Sequence, residues 1–144
     1  MALVYFDASA LVKLVVEEAG TDIASALWDG CDAPLSSRLA YPEVRAALAA
    51  SARNADLTAR ELRTAEATWE DLWAAMRPVE LTASVERTAG RLASQRALRG
   101  ADAVHLASAL VIGSPDLVVA VWDRRLHAGA VAERLAVAPA TLDD

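Results

Sequence analysis

The sequence is poor in cysteine, with Cys31 alone among its 144 residues. A single cysteine excludes an internal disulfide and any metal site built from several cysteines. No apolar run approaches the ~20 residues that a membrane-spanning helix needs, and no basic stretch followed by an apolar one marks a signal peptide. From these absences we expect a cytoplasmic protein with no membrane segment.

Histidine is also scarce, and the two residues present, His105 and His127, lie in different predicted helices. A metal-free ribonuclease that works through paired histidines is therefore not indicated. The chain also lacks an Asp-rich loop of EF-hand spacing, so a structural calcium loop of that kind is not indicated either.

What the sequence does contain is an apolar fraction of 55% and a charged fraction of 24%, with a net charge of −6. These values are typical of a globular protein, and we expect one domain over residues 1–144. The negative charge disfavours a nucleic-acid partner, because counterion release rewards basic surfaces. It does not exclude one, since a metal ion can neutralise carboxylates locally and arginines can cluster on one face. A basic partner segment would also suit such a surface.

Apolar runs alternate along the chain with helical patterns, which predicts a parallel sheet covered on both faces. The expected fold is a three-layer α/β/α arrangement with a central, mostly parallel sheet of about five strands. Thr58 and Glu61 form a capping box at the clearest helix, Pro42 implies a kink or a late helix start, and Gly100 is expected to end a helix. The predicted strands are 2–6, 33–37, 78–81, 116–122 and 135–139, and the predicted helices are 8–16, 21–28, 38–53, 57–76, 84–98, 101–113 and one from about 124.

Four acidic residues lie where predicted strands give way to helices. Asp7 and Asp123 directly follow strands, Glu43 lies early in the helix after strand 33–37, and Asp102 lies at a helix start just after Gly100. Because parallel strands share one carboxyl edge, we expect the four side chains to meet there. Each aspartate is also a favoured helix N-cap, so capping is an alternative explanation for each one taken singly.

Convergence of these carboxylates would be costly without a cation. Two carboxylates ~4 Å apart repel by ~4 kcal/mol at an effective dielectric constant of about 20. Oxygen ligands without cysteine or histidine suit hard cations, so the sequence favours Mg²⁺, for which Mn²⁺ can substitute. An ion in such a site polarises a phosphate and lowers the pKa of a bound water.

The segments that carry these acids resemble a known family. YFDASALVKLVVEE, SSRLAYPEVRAAL, RGADAVHLASAL and AVWDRRL resemble, in order and spacing, the four acidic motifs of the PIN-domain ribonucleases, and in particular the VapC toxins of bacterial toxin–antitoxin pairs. The resemblance covers nearly the whole chain. It implies a PIN-like fold in which Asp7, Glu43, Asp102 and Asp123 bind the metal, with Ser9 close to it.

The resemblance also implies an activity and partners. VapC-like proteins are Mg²⁺- or Mn²⁺-dependent endoribonucleases that cut tRNA, rRNA or mRNA. They form homodimers and toxin–antitoxin hetero-oligomers, in which the tail of a VapB-like antitoxin enters the active-site groove. An arginine of that tail would supply positive charge to the carboxylates.

Four further residues are candidates for accessory roles. His105 is one turn from Asp102 and is either a support for the metal site or an ordinary buried histidine. Lys13 is a candidate phosphate contact, although an exposed helical lysine is the simpler expectation. Arg124 and Arg125 follow Asp123 and are candidates for contact with the RNA backbone, with ordinary surface charge as the alternative.

Other Asp-centred α/β proteins fit the sequence less well. A receiver domain needs an acidic pair at the first strand and a lysine after a later strand, and neither is present. An aspartate-nucleophile phosphatase needs a second aspartate two residues after the first, where this chain has Ser9. A non-catalytic reading, in which the acidic edge only docks a basic partner, stays open.

Overall fold

The computed structural model describes residues 1–143, which form five strands and seven helices. The strands are β1 (Leu3–Phe6), β2 (Ala33–Ser37), β3 (Arg77–Val79), β4 (Leu117–Ala120) and β5 (Ala136–Ala138). The helices are α1 (Ala8–Val15), α2 (Thr21–Gly30), α3 (Ala40–Arg53), α4 (Ala59–Ala75), α5 (Ala83–Arg96), α6 (Gly100–Ile112) and α7 (Arg124–Ala132).

The sheet is parallel throughout, in the order β3-β2-β1-β4-β5. In register, Leu3 of β1 pairs with Ala33 of β2 on one side and with Leu117 of β4 on the other. The chain builds outward from β1 to β3 and then returns to place β4 on the opposite side of β1. The strand order therefore reverses between β1 and β4, and a crevice suited to a ligand opens at such a point.

The two faces of the sheet are covered by different helices, which confirms the predicted three-layer α/β/α fold. Side chains alternate along β1, so Tyr5 packs into a core with α5, α6 and α7, while Val4 and Phe6 pack against α1, α3 and α4. Trp69 of α4 is fully buried in the second core. Because both faces are buried, the edge formed by the strand ends is where polar side chains can gather.

Most predicted helix boundaries agree with the structure to within two residues. The capping box of Thr58 and Glu61 is present at the start of α4. Helix α3 begins at Ala40, so Pro42 lies in its first turn, where an amide N–H is not needed. No helix within residues 1–143 is long and apolar enough to cross a bilayer.

Two expectations about the Asp102 region were wrong. Gly100 does not end the preceding helix: α5 stops at Arg96, Ala97 adopts a left-handed conformation with φ 53°, and Gly100 is the first residue of α6. Asp102 consequently follows a helix rather than a strand, and it reaches the sheet edge from the first turn of α6. Alanine carries no signal for the left-handed conformation that glycine usually supplies at a helix end, so the break was not predictable from residue type.

Candidate active site

Asp7 lies at the carboxyl end of the central strand and is almost fully buried, at 3% exposure. Its Oδ1 accepts hydrogen bonds from the Ala10 amide at 2.9 Å and from Ser9 Oγ at 2.6 Å, and its Oδ2 lies 2.8 Å from the same hydroxyl. The capping alternative is therefore realised, since Asp7 is the N-cap of α1. Capping occupies one oxygen with a backbone amide and keeps the carboxylate at the carboxyl end of β1.

The pKa of Asp7 is raised to about 6, mainly because the carboxyl group is buried. The charge of Asp123 contributes to this rise, while His105 and the hydrogen bonds from Ser9 and Ala10 act in the opposite direction. A carboxylate in this position is poorly solvated by water. Its ionised form would be stabilised by a cation nearby.

We call the edge of the sheet near Asp7, Glu43, Asp102 and Asp123 the acidic edge. Asp123 lies just after β4, and Asp102 lies in the first turn of α6. Asp123 caps α7, with Oδ1 accepting from the Leu126 amide at 2.9 Å. Burial raises the pKa of Asp102, and the charges of Asp123 and Glu43 raise it further. Arg99 opposes this shift, with its Nε 3.7 Å from Asp102 Oδ2. The four acids therefore lie close enough for their charges to act on one another.

Glu43 occupies the first turn of α3 and faces α6 across the sheet edge. Its side chain is 27% exposed, and Oε1 lies 2.6 Å from Nε2 of the buried His105. His105 is thus in direct contact with one of the four acids. His127 lies elsewhere, with Nε2 2.8 Å from the Pro139 carbonyl, so the two histidines do not share a site.

Lys13 does not meet the expectation of an exposed helical lysine. Only 9% of the residue is exposed; Nζ lies 3.0 Å from Glu18 Oε1 and 5.0 Å from the centre of the Trp122 ring. The predicted helix placed Lys13 on the surface, but the loop carrying Glu18 and Gly20 folds back over it. Lys13 therefore holds Trp122, the residue before Asp123, rather than pointing freely towards solvent.

A cleft of about 600 Å³ lies beside Asp123. Arg124 and Arg125 are exposed at its rim, as expected for contacts with a polyanion, and Arg124 also donates to the Asp143 carbonyl at 2.6 Å. The cleft thus places cationic side chains next to the acidic edge. Its lining residues are Arg99, Trp122, Asp123, Arg124 and Arg125.

The donor chemistry of the acidic edge fits a hard divalent cation, because the candidate ligands are carboxylates whose repulsion such an ion would relieve. In the described part of the chain, residues 1–143, no three acidic, histidine or cysteine side chains stand close enough to hold one ion as they are placed. Shared coordination by three acids therefore requires their side chains to draw together.

Sequence reasoning missed three residues at the site, namely Tyr5, Arg99 and Trp122. Tyr5 had a usable signal, because a tyrosine in a strand buried on both faces must find a hydrogen-bond partner. Arg99 precedes Asp102 by three residues on a helix, a spacing that brings opposite charges together. Trp122 gave no signal of its own, since its place depends on the loop that holds Lys13.

Residues 4–135 match the family model of the PIN domain. The chain is also 73% identical over 143 residues to Ribonuclease VapC45 of Mycobacterium tuberculosis (strain CDC 1551 / Oshkosh), covering 99% of each protein. The chain therefore belongs to the PIN-domain family. The resemblance to VapC-type members is confirmed, and the receiver and phosphatase readings are set aside.

Solved structures share this fold at low sequence identity. The Mycobacterium tuberculosis VapC20 toxin, described as cleaving the sarcin-ricin loop, superposes with a TM-score of 0.66 at 20% identity, covering 87% of this chain and 93% of that one. A toxin–antitoxin complex from Klebsiella pneumoniae gives 0.68 at 17% identity, covering 99% and 100%. At these identities the likeness establishes the architecture.

Proposed function

We propose that this protein is a metal-dependent endoribonuclease of the VapC type, the toxin of a toxin–antitoxin pair. The proposal is supported by the charge interactions that link Asp7 to Asp123, and Asp102 to Asp123 and Glu43, in a chain that belongs to the PIN-domain family. The relative at 73% identity, named a ribonuclease, supports RNA as the substrate. The reaction is hydrolysis of a phosphodiester bond.

The four acids would hold Mg²⁺ or Mn²⁺, with Asp7 and Asp102 as the principal ligands. Such an ion supplies polarisation of the scissile phosphate and lowers the pKa of a bound water. Ser9 keeps the Asp7 carboxylate aligned through its two short contacts of 2.6 and 2.8 Å. Asp123, the N-cap of α7, and Glu43, in the first turn of α3, would complete the set of metal ligands.

RNA lies along the cleft beside Asp123. Arg99 and Arg125 line this cleft and would contact phosphates of the RNA, which offsets the net charge of −6 locally. Arg124 adds a third positive charge at the same rim. The clustering of arginines at this edge reconciles an acidic protein with an anionic substrate.

A cognate antitoxin of the VapB type neutralises the enzyme, and the protein forms a homodimer and a toxin–antitoxin hetero-oligomer. The similar fold of the Klebsiella pneumoniae toxin–antitoxin complex supports an antitoxin partner. An arginine of the antitoxin tail would relieve the repulsion among the acids as a metal ion does. This partner can be tested by co-purification. The candidate is the protein encoded by a short neighbouring gene, and it should have a basic tail.

Cleavage of RNA with Mg²⁺ or Mn²⁺, measured against EDTA, tests the enzyme. Asp102→Asn should lower the rate by more than the roughly 10- to 100-fold that follows loss of a residue which only orients a ligand. The matched control is Asp116→Asn, an exposed aspartate before β4 and away from the acidic edge, which should cut as the parent does. Equal cleavage by Asp102→Asn, or cleavage unaffected by EDTA, would contradict metal-dependent hydrolysis at the acidic edge. Absence of cleavage by the parent protein would leave an acidic docking module as the better explanation.

A further inference from the structure

A chain of hydrogen bonds runs from the backbone of β2 to Glu43. The Ser37 amide donates to Tyr5 Oη at 3.1 Å, Tyr5 Oη lies 2.7 Å from His105 Nδ1, and His105 Nε2 lies 2.6 Å from Glu43 Oε1. Tyr5 is fully buried and His105 is 2% exposed. The chain crosses β1, α6 and α3, so its members are fixed by the core rather than by a loop.

The order of donors along this chain follows from chemistry. Burial raises the pKa of Tyr5 well above its ordinary value, so the phenol keeps its proton. The Tyr5 hydroxyl oxygen accepts the Ser37 N–H and also faces His105 Nδ1. A carboxylate only accepts hydrogen bonds, so His105 Nε2 carries the proton that lies between it and Glu43 Oε1.

We propose that Tyr5 and His105 act as positioning residues that lock Glu43 for metal binding. The Nε2–H donor holds Oε1 and leaves Oε2 without this contact, so one end of a long side chain in the first turn of α3 is kept in a fixed place. This role rests on the proposed function of Glu43 as a metal ligand. It explains why a buried histidine occupies a site where an apolar residue would fill the core equally well.

The position of the proton on His105 can be measured without metal or substrate. Nitrogen-15 NMR of the full metal-free protein should show a proton bound to His105 Nε2. Tyr5→Phe removes the hydroxyl that faces Nδ1 and should shift the Nδ1 resonance of His105. An Nε2 without a bound proton in the parent protein would overturn the inference.

The positioning role is tested by replacing His105 with asparagine or with glutamine. The two amides distinguish the contact made by Nδ1 from the contact made by Nε2. A glutamine amide reaches the place of Nε2, whereas an asparagine amide reaches only the place of Nδ1. His105→Asn should therefore lower Mn²⁺ affinity, measured by calorimetry, and RNA cleavage by roughly 10- to 100-fold, while His105→Gln stays within a few-fold of the parent. Unfolding curves on both variants show whether their stabilities are matched.

Equal Mn²⁺ affinity of His105→Asn and His105→Gln in folded proteins would refute the role. If either variant fails to fold, Tyr5→Phe decides, because it keeps the core filled and should weaken Mn²⁺ binding by several-fold; unchanged binding refutes the role. A parent protein that shows the proton on His105 Nε2 but binds no Mn²⁺ and cuts no RNA would remove the proposed function, and the positioning role with it, while leaving the hydrogen-bond chain intact.

Discussion

The backbone N–H of Trp122 donates to Ser9 Oγ at 3.2 Å, although the two residues lie 113 positions apart. The same hydroxyl contacts both oxygens of Asp7. Ser9 therefore ties the loop after β1 to the loop after β4, and these loops carry Asp7 and Asp123. This hydroxyl adds a side-chain link to the pairing of β1 with β4 and to the Asp7 N–H bond to the Ala120 carbonyl at 3.3 Å.

Replacement of Ser9 by alanine should impair both stability and activity. The change leaves the Trp122 amide without its acceptor and takes a donor from a buried carboxylate, which costs about 1–3 kcal/mol of unfolding free energy. RNA cleavage should fall by roughly 10- to 100-fold, as for loss of a residue that orients a ligand. Urea unfolding and initial cleavage rates measure the two effects.

Ser94→Ala on the exposed side of α5 is the matched control for that change. It should alter the unfolding free energy by less than about 0.5 kcal/mol and leave cleavage intact. Parental cleavage by Ser9→Ala would show that the bridge between the two loops has no part in the reaction.

The raised pKa of Asp7 predicts a pH dependence of stability in the metal-free protein. Because the folded pKa of about 6 lies above the ordinary value of 3.8, the native state binds more protons than the unfolded state between about pH 4 and 6. The contribution of Asp7 to the unfolding free energy should therefore fall as pH rises through that range, by about 3 kcal/mol in total.

Asp7→Asn removes this titration, so the variant should be more stable than the parent at pH 7 in EDTA and nearly equal to it at pH 4. Urea unfolding of both proteins at several pH values measures the difference. A constant difference between pH 4 and 7 would mean that Asp7 ionises normally, and that burial does not perturb it.

Gly20→Ala should disturb the loop over Lys13. Gly20 has φ +93°, and an added Cβ would lie 2.8 Å from Trp122 Nε1 and 3.1 Å from Lys13 Cε. Left-handed strain and the clash together should lower the unfolding free energy by about 1–3 kcal/mol. Gly90→Ala, inside α5 with open space at its Cβ, should instead raise it by about 0.5–1 kcal/mol. Thermal unfolding compares the pair, and a neutral Gly20→Ala would argue against close packing of Trp122.

The arginines of the cleft should account for part of the salt dependence of RNA binding. Arg99→Gln and Arg125→Gln should each weaken binding and reduce the slope of log affinity against log salt by about one. Arg87→Gln, exposed on α5 and outside the cleft, should leave the slope unchanged. Fluorescence anisotropy with labelled RNA, at several salt concentrations, measures the slope. Equal slopes for all three variants would place the RNA elsewhere.

Much of the fold could be predicted from the sequence because it depends on patterns of neighbouring residues. An apolar run that ends on an aspartate identified β1 and β4 together with the positions of Asp7 and Asp123, and the parallel sheet followed from strands separated by helices. The capping box at Thr58 likewise needs only a four-residue pattern. The end of α5 depends on the left-handed backbone conformation of Ala97, and the sequence wrongly placed it at Gly100.

The contacts that complete the site could not be predicted from the sequence because they join segments that are far apart along the chain. Tyr5 and His105 are 100 residues apart, and His105 and Glu43 are 62 apart, so their hydrogen bonds appear only once the sheet and helices are packed. Lys13 is similar: its helix pattern predicted exposure, and only the fold of the loop at Glu18 shows that it is covered.

The most direct test of the account is the mapping of a paramagnetic ion on the full chain by NMR. Substoichiometric Mn²⁺ should broaden the amide signals around Asp7, Glu43, Asp102 and Asp123 together, and Asp102→Asn should weaken all four effects at once. Broadening scattered over unrelated surface carboxylates, or confined to one of the four while the others stay sharp, would contradict the claim that folding assembles these distant acids into a single metal site.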